Sequence, residues 1–473
     1  MLFLCAFSCA VPLAPGYQII QESQEVRFIP GASPTLHILG RFKLQNTGSG
    51  DLTFVDVTLP EARAFGRQNV RVQLNGSEVT PVNVPPEYRQ DQPNTVRIPL
   101  SAPWQQKRTL QLVVEYDLSS PQDPGPRITL GENEFHLGSR GWFPVLLPPK
   151  HVLSGAPKRP KVTSYVIRVP SNFLVLARGT PKGRNRDGGE TVYRFVLSQD
   201  DLPPFVVAGS YVESPSGSEP ESAKFWTLKP LPADSAQAAQ EITQTWSILE
   251  KDFGQLDRNI QAPHLAESPE LHGHTSAEES GPVTASFPGG AIVNPAALAL
   301  GSTSEQFLEL VTHSLAHNWF GDEIYTAPDA AVGIGEGLPE YATIVVDEAR
   351  NGEPARRKRI LKYLAQYDDA RKNVSEKALG ITMLSDPVEQ QRIALAKAPL
   401  FFVALEDACG AEAMRNGLKQ MVELLRGQEA SYDGLRSALE EASGKDLAGI
   451  FRVWLNQNGI PADFRSRYES GGN

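Results

Sequence analysis

Two histidines four residues apart, with a glutamate further on that opens a second apolar segment, restrict this chain more than any other feature. The stretch Ser302 to Ala349 reads STSEQFLELVTHSLAHNWFGDEIYTAPDAAVGIGEGLPEYATIVVDEA. Ser302 followed by Glu305 has the spacing of a capping box, which predicts a helix start. Leu308, Val311, Leu315 and Trp319 recur at intervals of three and four, so the helix is expected to face a core and end near Gly321. Its period then puts His313 and His317 on one face, one turn apart. Eighteen residues, 318 to 335, separate His317 from Glu336, where EGLPEYATIVV can fold back as a second helix. Two imidazoles and a carboxylate are the donor set of a catalytic zinc, the fourth position being left to water or substrate. The histidine pair alone also fits two surface or satisfied side chains.

The bordering residues narrow the choice. HSLAHNWFGDE, the spacing to the glutamate, and GEGLPEYA resemble the core of the zinc aminopeptidases of the gluzincin clan, the family of alanyl aminopeptidase and leukotriene hydrolase. The family pattern is H-E-x-x-H-x-W-F-G, then N-E-G-x-x-x-Y. The resemblance implies one zinc ion held by His313, His317 and Glu336. It also implies a site shaped by Trp319, Phe320, Gly321, Gly337 and Tyr341, with peptide or protein amino-terminal segments as partners.

Three departures stand beside the match. The family's catalytic glutamate, which takes a proton from water and passes it to the leaving amine, is Ser314 here. A hydroxyl cannot accept that proton, and assistance of this kind contributes roughly 10²–10⁴-fold in rate. The family's G-x-M-E-N segment, which binds the substrate backbone and its free amine, is matched by Gly290-Ala291-Ile292-Val293-Asn294. Gly290 and Ala291 are therefore the expected substrate-binding positions, and Val293 removes the amine-binding carboxylate. The oxyanion tyrosine is replaced by Leu395, with Tyr363 and Tyr367 as other tyrosines that the fold could bring near.

Composition bounds the rest. The chain has 473 residues, long enough for two or three domains, and a net charge of −10 that argues against nucleic acid as a main partner. No run of apolar residues is long enough to span a membrane. Residues 1–15 are apolar and small, with Ser8-Cys9-Ala10 as a cleavage-like site, so a signal-peptide remnant and an extracytoplasmic location are expected, the alternative being a chance apolar terminus and a cytoplasmic location. Cleavage there leaves Cys409 as the one thiol, expected in a buried helix.

From Tyr17 to Val212 short alternating segments such as HILGRFKLQNT, LTFVDVTL, TLQLVVEYDL and TVYRFVLS predict an antiparallel β domain over residues 16–212. Asn75-Gly76 predicts a type I′ hairpin turn. Trp142 and Phe143 read as aromatics packing a sheet or lining a groove. Residues 213–223 are polar and read as a linker. Residues 224–473 are expected to form a thermolysin-like α+β domain, helical from about 350, beginning with a helix from Ser235 to Phe253 capped by Asp234. His264, His272 and His274 lie in a polar stretch expected to be a solvated loop.

Three functions remain open from the sequence. One is a zinc-binding homologue of the aminopeptidases with little or no hydrolysis. Another is a working peptidase whose base is a different carboxylate, Glu309 first because it lies one turn before His313, with Glu323 and Glu340 behind it. The third is a metal-free peptide-binding scaffold.

Overall fold

Alternating apolar and polar side chains make the amino-terminal segments half-buried strands. The computed structural model describes residues 16–470 apart from 61–65, 85–93, 120–127, 140–141, 148–159, 200, 215–221, 232–234, 257–261 and 273–280. The chain divides into two units, Met1–Ser210 and Tyr211–Asn473. The expected signal segment, Asp234, His274 and most of the expected linker lie outside the described residues.

The first unit is built on an eight-stranded sheet. Its strands are β1 (Tyr17–Ile29), β2 (Thr35–Asn46), β3 (Gln68–Leu74), β4 (Ser77–Glu78), β5 (Thr109–Ser119), β6 (Val162–Pro170), β7 (Thr180–Asp187) and β8 (Glu190–Ser198). They lie in the order β7-β8-β6-β1-β2-β5-β3-β4, and only β1 and β6 run parallel. Asn75 and Gly76 have φ of 49° and 85°, as the turn between β3 and β4 requires. β1 and β7 escape an alternation rule, because β1 carries Gln21 to Glu25 at its centre and β7 has no aliphatic or aromatic side chain apart from Pro181. Two four-stranded sheets complete the unit. Trp142 belongs to its core: it is fully buried, and its indole N–H donates to the Gly138 carbonyl at 2.7 Å.

The second unit carries a five-stranded sheet of β9 (Val212–Ser214), β10 (Lys224–Thr227), β11 (His264–Glu267), β12 (Thr284–Phe287) and β13 (Gly290–Val293). The order is β9-β10-β11-β13-β12, with β10, β11 and β13 parallel and an antiparallel strand at each border. His264 therefore sits in an interior strand rather than the expected loop, its ring edge-on to Trp226 at 5.0 Å. Ten helices follow from Ser235: α1 (Ser235–Phe253), α2 (Pro295–Leu298), α3 (Glu305–Ala316), α4 (Gly337–Asn351), α5 (Glu353–Arg371), α6 (Val388–Cys409), α7 (Ala411–Leu424), α8 (Tyr432–Ser443), α9 (Ala448–Asn456) and α10 (Ala462–Glu469), counted among the described residues. Trp246, Phe253, Trp319 and Phe320 join α1 to the end of α3, and the Trp319 indole donates to the Gly254 carbonyl at 2.7 Å. Cys409 is buried at the end of α6. Among the described residues no helix is long and apolar enough to cross a membrane. The architecture is the expected β domain followed by an α+β unit that ends in helices.

Candidate metal centre

Helix α3 begins at a cap two residues beyond the expected one. Ser304, not Ser302, accepts the Phe307 N–H at 3.1 Å. Phe307, Val311 and Leu315 are buried along one face, each contributing about 1.5–3 kcal/mol by leaving water. That anchorage places α3 without help from a cation. The helix ends at Ala316, one turn before the expected end, and His317 forms its carboxy-terminal cap. The chain then turns back tightly: Asp322 donates its N–H to the His317 carbonyl at 3.1 Å. Gly321 allows this, because a Cβ there would lie 3.2 Å from that carbonyl oxygen and 3.4 Å from His317 Nδ1.

Glu336 arrives on an element the sequence does not announce. Residues Ala331–Glu336 form a π-helical turn that runs into α4. Such widened turns recur at functional sites. Gly337 lets α4 press against α6, since a Cβ on it would stand 2.7 Å from the Ala398 Cβ.

The three donors converge. His313 Nε2 and His317 Nε2 are 3.0 Å apart, and Glu336 Oε2 is 3.5 Å and 3.4 Å from them respectively. A tetrahedral zinc site with arms of 2.0–2.1 Å has edges of about 3.3 Å. The observed triangle fits that dimension without rearrangement. The side chains keep 23%, 19% and 29% of their surface exposed, which leaves an open side for a fourth ligand.

Behind the donors each ring has an oxygen close to its Nδ1. His317 Nδ1 lies 3.1 Å from the Phe320 carbonyl, so it carries the proton and Nε2 is left as the donor. His313 Nδ1 lies 3.2 Å from Glu340 Oε1, and the Tyr363 hydroxyl donates to Glu340 Oε2. Burial disfavours charge on His313, but Glu340 and Glu336 outweigh it and push its pKa up to about 10. Burial likewise raises Glu336 and Glu340, and the imidazoles overcome it, holding both carboxyls below their usual range. A cation entering here takes the place of a proton.

Residues 279–454 match the peptidase family M1 domain. Over this segment the chain is similar to M1 peptidases. The chain is 27% identical over 168 residues to aminopeptidase N of Lactobacillus delbrueckii subsp. lactis, and 24% identical over 165 residues to glutamyl aminopeptidase of Sus scrofa. These alignments cover 32% and 34% of this chain but only 19% and 17% of those proteins, so the chain spans about a fifth of the length of the relatives it matches. The fold is similar to that of an M1 zinc metallopeptidase from Deinococcus radiodurans, with a TM-score of 0.64, 18% identity, and coverage of 95% of this chain and 96% of that one. A mutant of that metallopeptidase bound to a Tyr-Ser-Ala substrate also has a TM-score of 0.64.

Within the matched segment the remaining expected residues are placed unequally. Ser314 is buried, and its hydroxyl donates to Thr284 Oγ1 on β12 at 2.8 Å. Gly290 and Ala291, the expected substrate-binding positions, lie on β13. β13 is interior, paired with β11 on one side and β12 on the other. Gly290 is demanded by that closeness, because a Cβ would fall 1.9 Å from the His264 carbonyl oxygen. Among the described residues the border strands of this sheet are β9 and β12, and β12 is the one next to β13.

Glu309 is held by cations, Arg359 at 2.5 Å and Lys362 at 2.6 Å. Glu323 pairs with Arg426 at 3.1 Å. Tyr363 is committed to Glu340, on the side of the His313 ring opposite Nε2, and Tyr367 donates to Glu376 at 2.6 Å. Leu395 lines a cavity of about 510 Å³ together with Glu340 and Tyr363. Reading the sequence underrates Glu340 and misses Asn318. The Asn318 side chain accepts from Gly289 N–H at 2.6 Å and donates to the Gly290 carbonyl at 3.2 Å, tying the β12–β13 turn to the end of α3. Its place next to His317 was the available signal.

Proposed function

We propose that this chain holds one zinc ion through His313, His317 and Glu336 and binds peptide segments beside it, with little or no peptide hydrolysis. Zinc in such a site supplies Lewis acidity and lowers the pKa of water. The observation that carries the reading is Ser314. It occupies the place of the general base, has no carboxylate to take a proton, and spends its own hydrogen on Thr284. Glu309, the first substitute considered, is neutralised by Arg359 and Lys362. Glu340 faces Nδ1 of His313, the side turned away from the three convergent donors. The free edge of β12, which Ser314 touches, supports peptide binding, because an extended segment can add to such an edge by main-chain hydrogen bonds.

Metal analysis of the purified chain, together with a panel of aminopeptidase and endopeptidase substrates, tests this. The expected result is one zinc per chain with turnover at or near background. A chain that cleaves peptides and loses the activity in Glu309→Gln would replace this reading with that of a working peptidase. A chain without zinc after reconstitution would leave only the metal-free scaffold.

A further inference from the structure

Far along the sequence from the metal-binding residues, charge is distributed unevenly. Residues 150–194 contain ten Lys or Arg and two Asp or Glu, in a chain whose net charge is −10. The acids are already taken: Asp187 pairs with Arg168 at 3.1 Å and Glu190 with Arg27 at 2.7 Å. Lys182, Arg184 and Arg186 stand on β7, the terminal strand of the eight-stranded sheet, and every residue of that strand is exposed. Among the described residues their side chains make no ion pair and no hydrogen bond. Arg184 and Arg186 lie directly across from Tyr193 and Thr191 of β8, so they project from the same face of the sheet. Lys182 sits beside them at the bulge between Pro181 and Gly183.

We propose that β7 is a docking edge for an extended acidic segment of a partner protein, added to the sheet as a further strand. Two properties of the edge select that occupant. Its outer N–H and C=O groups have no partner strand among the described residues, and only an extended polypeptide can satisfy them in register. Its cations favour carboxylates at alternate positions, which would face Arg184 and Arg186 across the new pair. A second copy of the same edge is disfavoured, because like charges would meet. A nucleic acid or an anionic membrane would use the cations but not the backbone. The site is independent of the metal centre and of the reading proposed for it.

The test is fluorescence anisotropy of a short labelled peptide of alternating glutamate and threonine, titrated with the full chain at low salt. The expected result is saturable binding that weakens with salt and falls roughly tenfold in the double variant Arg184→Glu, Arg186→Glu. The same peptide N-methylated at alternate residues should not bind, and amide exchange on β7 should slow only with the unmethylated peptide. Circular dichroism confirms that the variant is folded, as expected for exposed positions. Equal binding of the methylated peptide would overturn the proposal by reducing the effect to charge. So would unchanged binding to the double variant, or binding of anionic phosphatidylserine vesicles with none of the peptide.

Discussion

Ser314 donates its hydroxyl to Thr284 Oγ1 at 2.8 Å, and Thr284 passes its own hydrogen to the Leu310 carbonyl at 3.1 Å. The relay runs from the helix to the border strand and back to the helix backbone, so the Ser314 hydroxyl is oriented as a donor. Ser314→Glu would restore a carboxylate in that position at the expense of this bond. We expect peptide turnover to rise, by no more than roughly 10²–10⁴-fold, since Val293 and Leu395 also replace polar groups. Initial rates on a peptide panel, with zinc content matched between variants, measure it.

Zinc removal should loosen the second unit without unfolding it, because α3 is anchored by its apolar face rather than by the cation. With free zinc at a hundredfold excess over its dissociation constant, binding adds about 2.7 kcal/mol. Chelation is expected to lower the denaturation midpoint accordingly, and His317→Ala should abolish the difference between the chelated and zinc-loaded states. Urea titrations with and without chelator read both.

Glu340→Gln tests the support behind His313. The neutral amide weakens the acceptor at Nδ1 while leaving shape nearly unchanged, and loss of such a partner typically lowers metal affinity 10–100-fold. Competition with a chromogenic chelator gives the affinity. Tyr363→Phe, one bond further back, should weaken zinc less than Glu340→Gln does.

The Lys397–Glu376 pair should matter for stability rather than for zinc. Both side chains are 1% exposed at 2.9 Å, and Glu376 also accepts from Tyr367 and from the Gly459 N–H at 2.7 Å. Lys397→Met leaves the buried carboxylate with Arg371 at 3.4 Å as its remaining cation, so the loss should approach but not exceed about 3–5 kcal/mol. Equilibrium unfolding in urea would show the loss, with zinc affinity in the folded state unchanged.

Acid should destabilise the chain partly through histidines away from the metal. Burial lowers His136 to about 3, and burial followed by the Lys224 charge lowers His264 to about 4, from an ordinary 6.5. In each case the unfolded chain binds the proton first as pH falls. Their contribution is whole above pH 6.5 and is lost progressively toward pH 4 and below. His264→Gln should flatten the fall of the urea midpoint between pH 6.5 and 4 relative to the parent chain.

Most of the fold was legible because period is a local property. Alternation in β2, β5 and β8 and helical recurrence in α3 follow from which face of one element must leave water. Among the elements that escaped, β1 and β7 are polar where the rule expects apolar residues, and only their neighbours in the sheet make them strands.

Donor identity was likewise a matter of sequence: two imidazoles one helical turn apart and a glutamate that can reach them name a cation site before any fold is known. What the tertiary structure decided is everything that depends on approach from another element. It put the π turn under Glu336, set Glu340 rather than solvent behind His313, and tied Ser314 to Thr284. It also set the glycine segment inside its sheet and β12 at a border, because sheet order is settled by which strands bury each other's faces, and no stretch of chain carries that information alone.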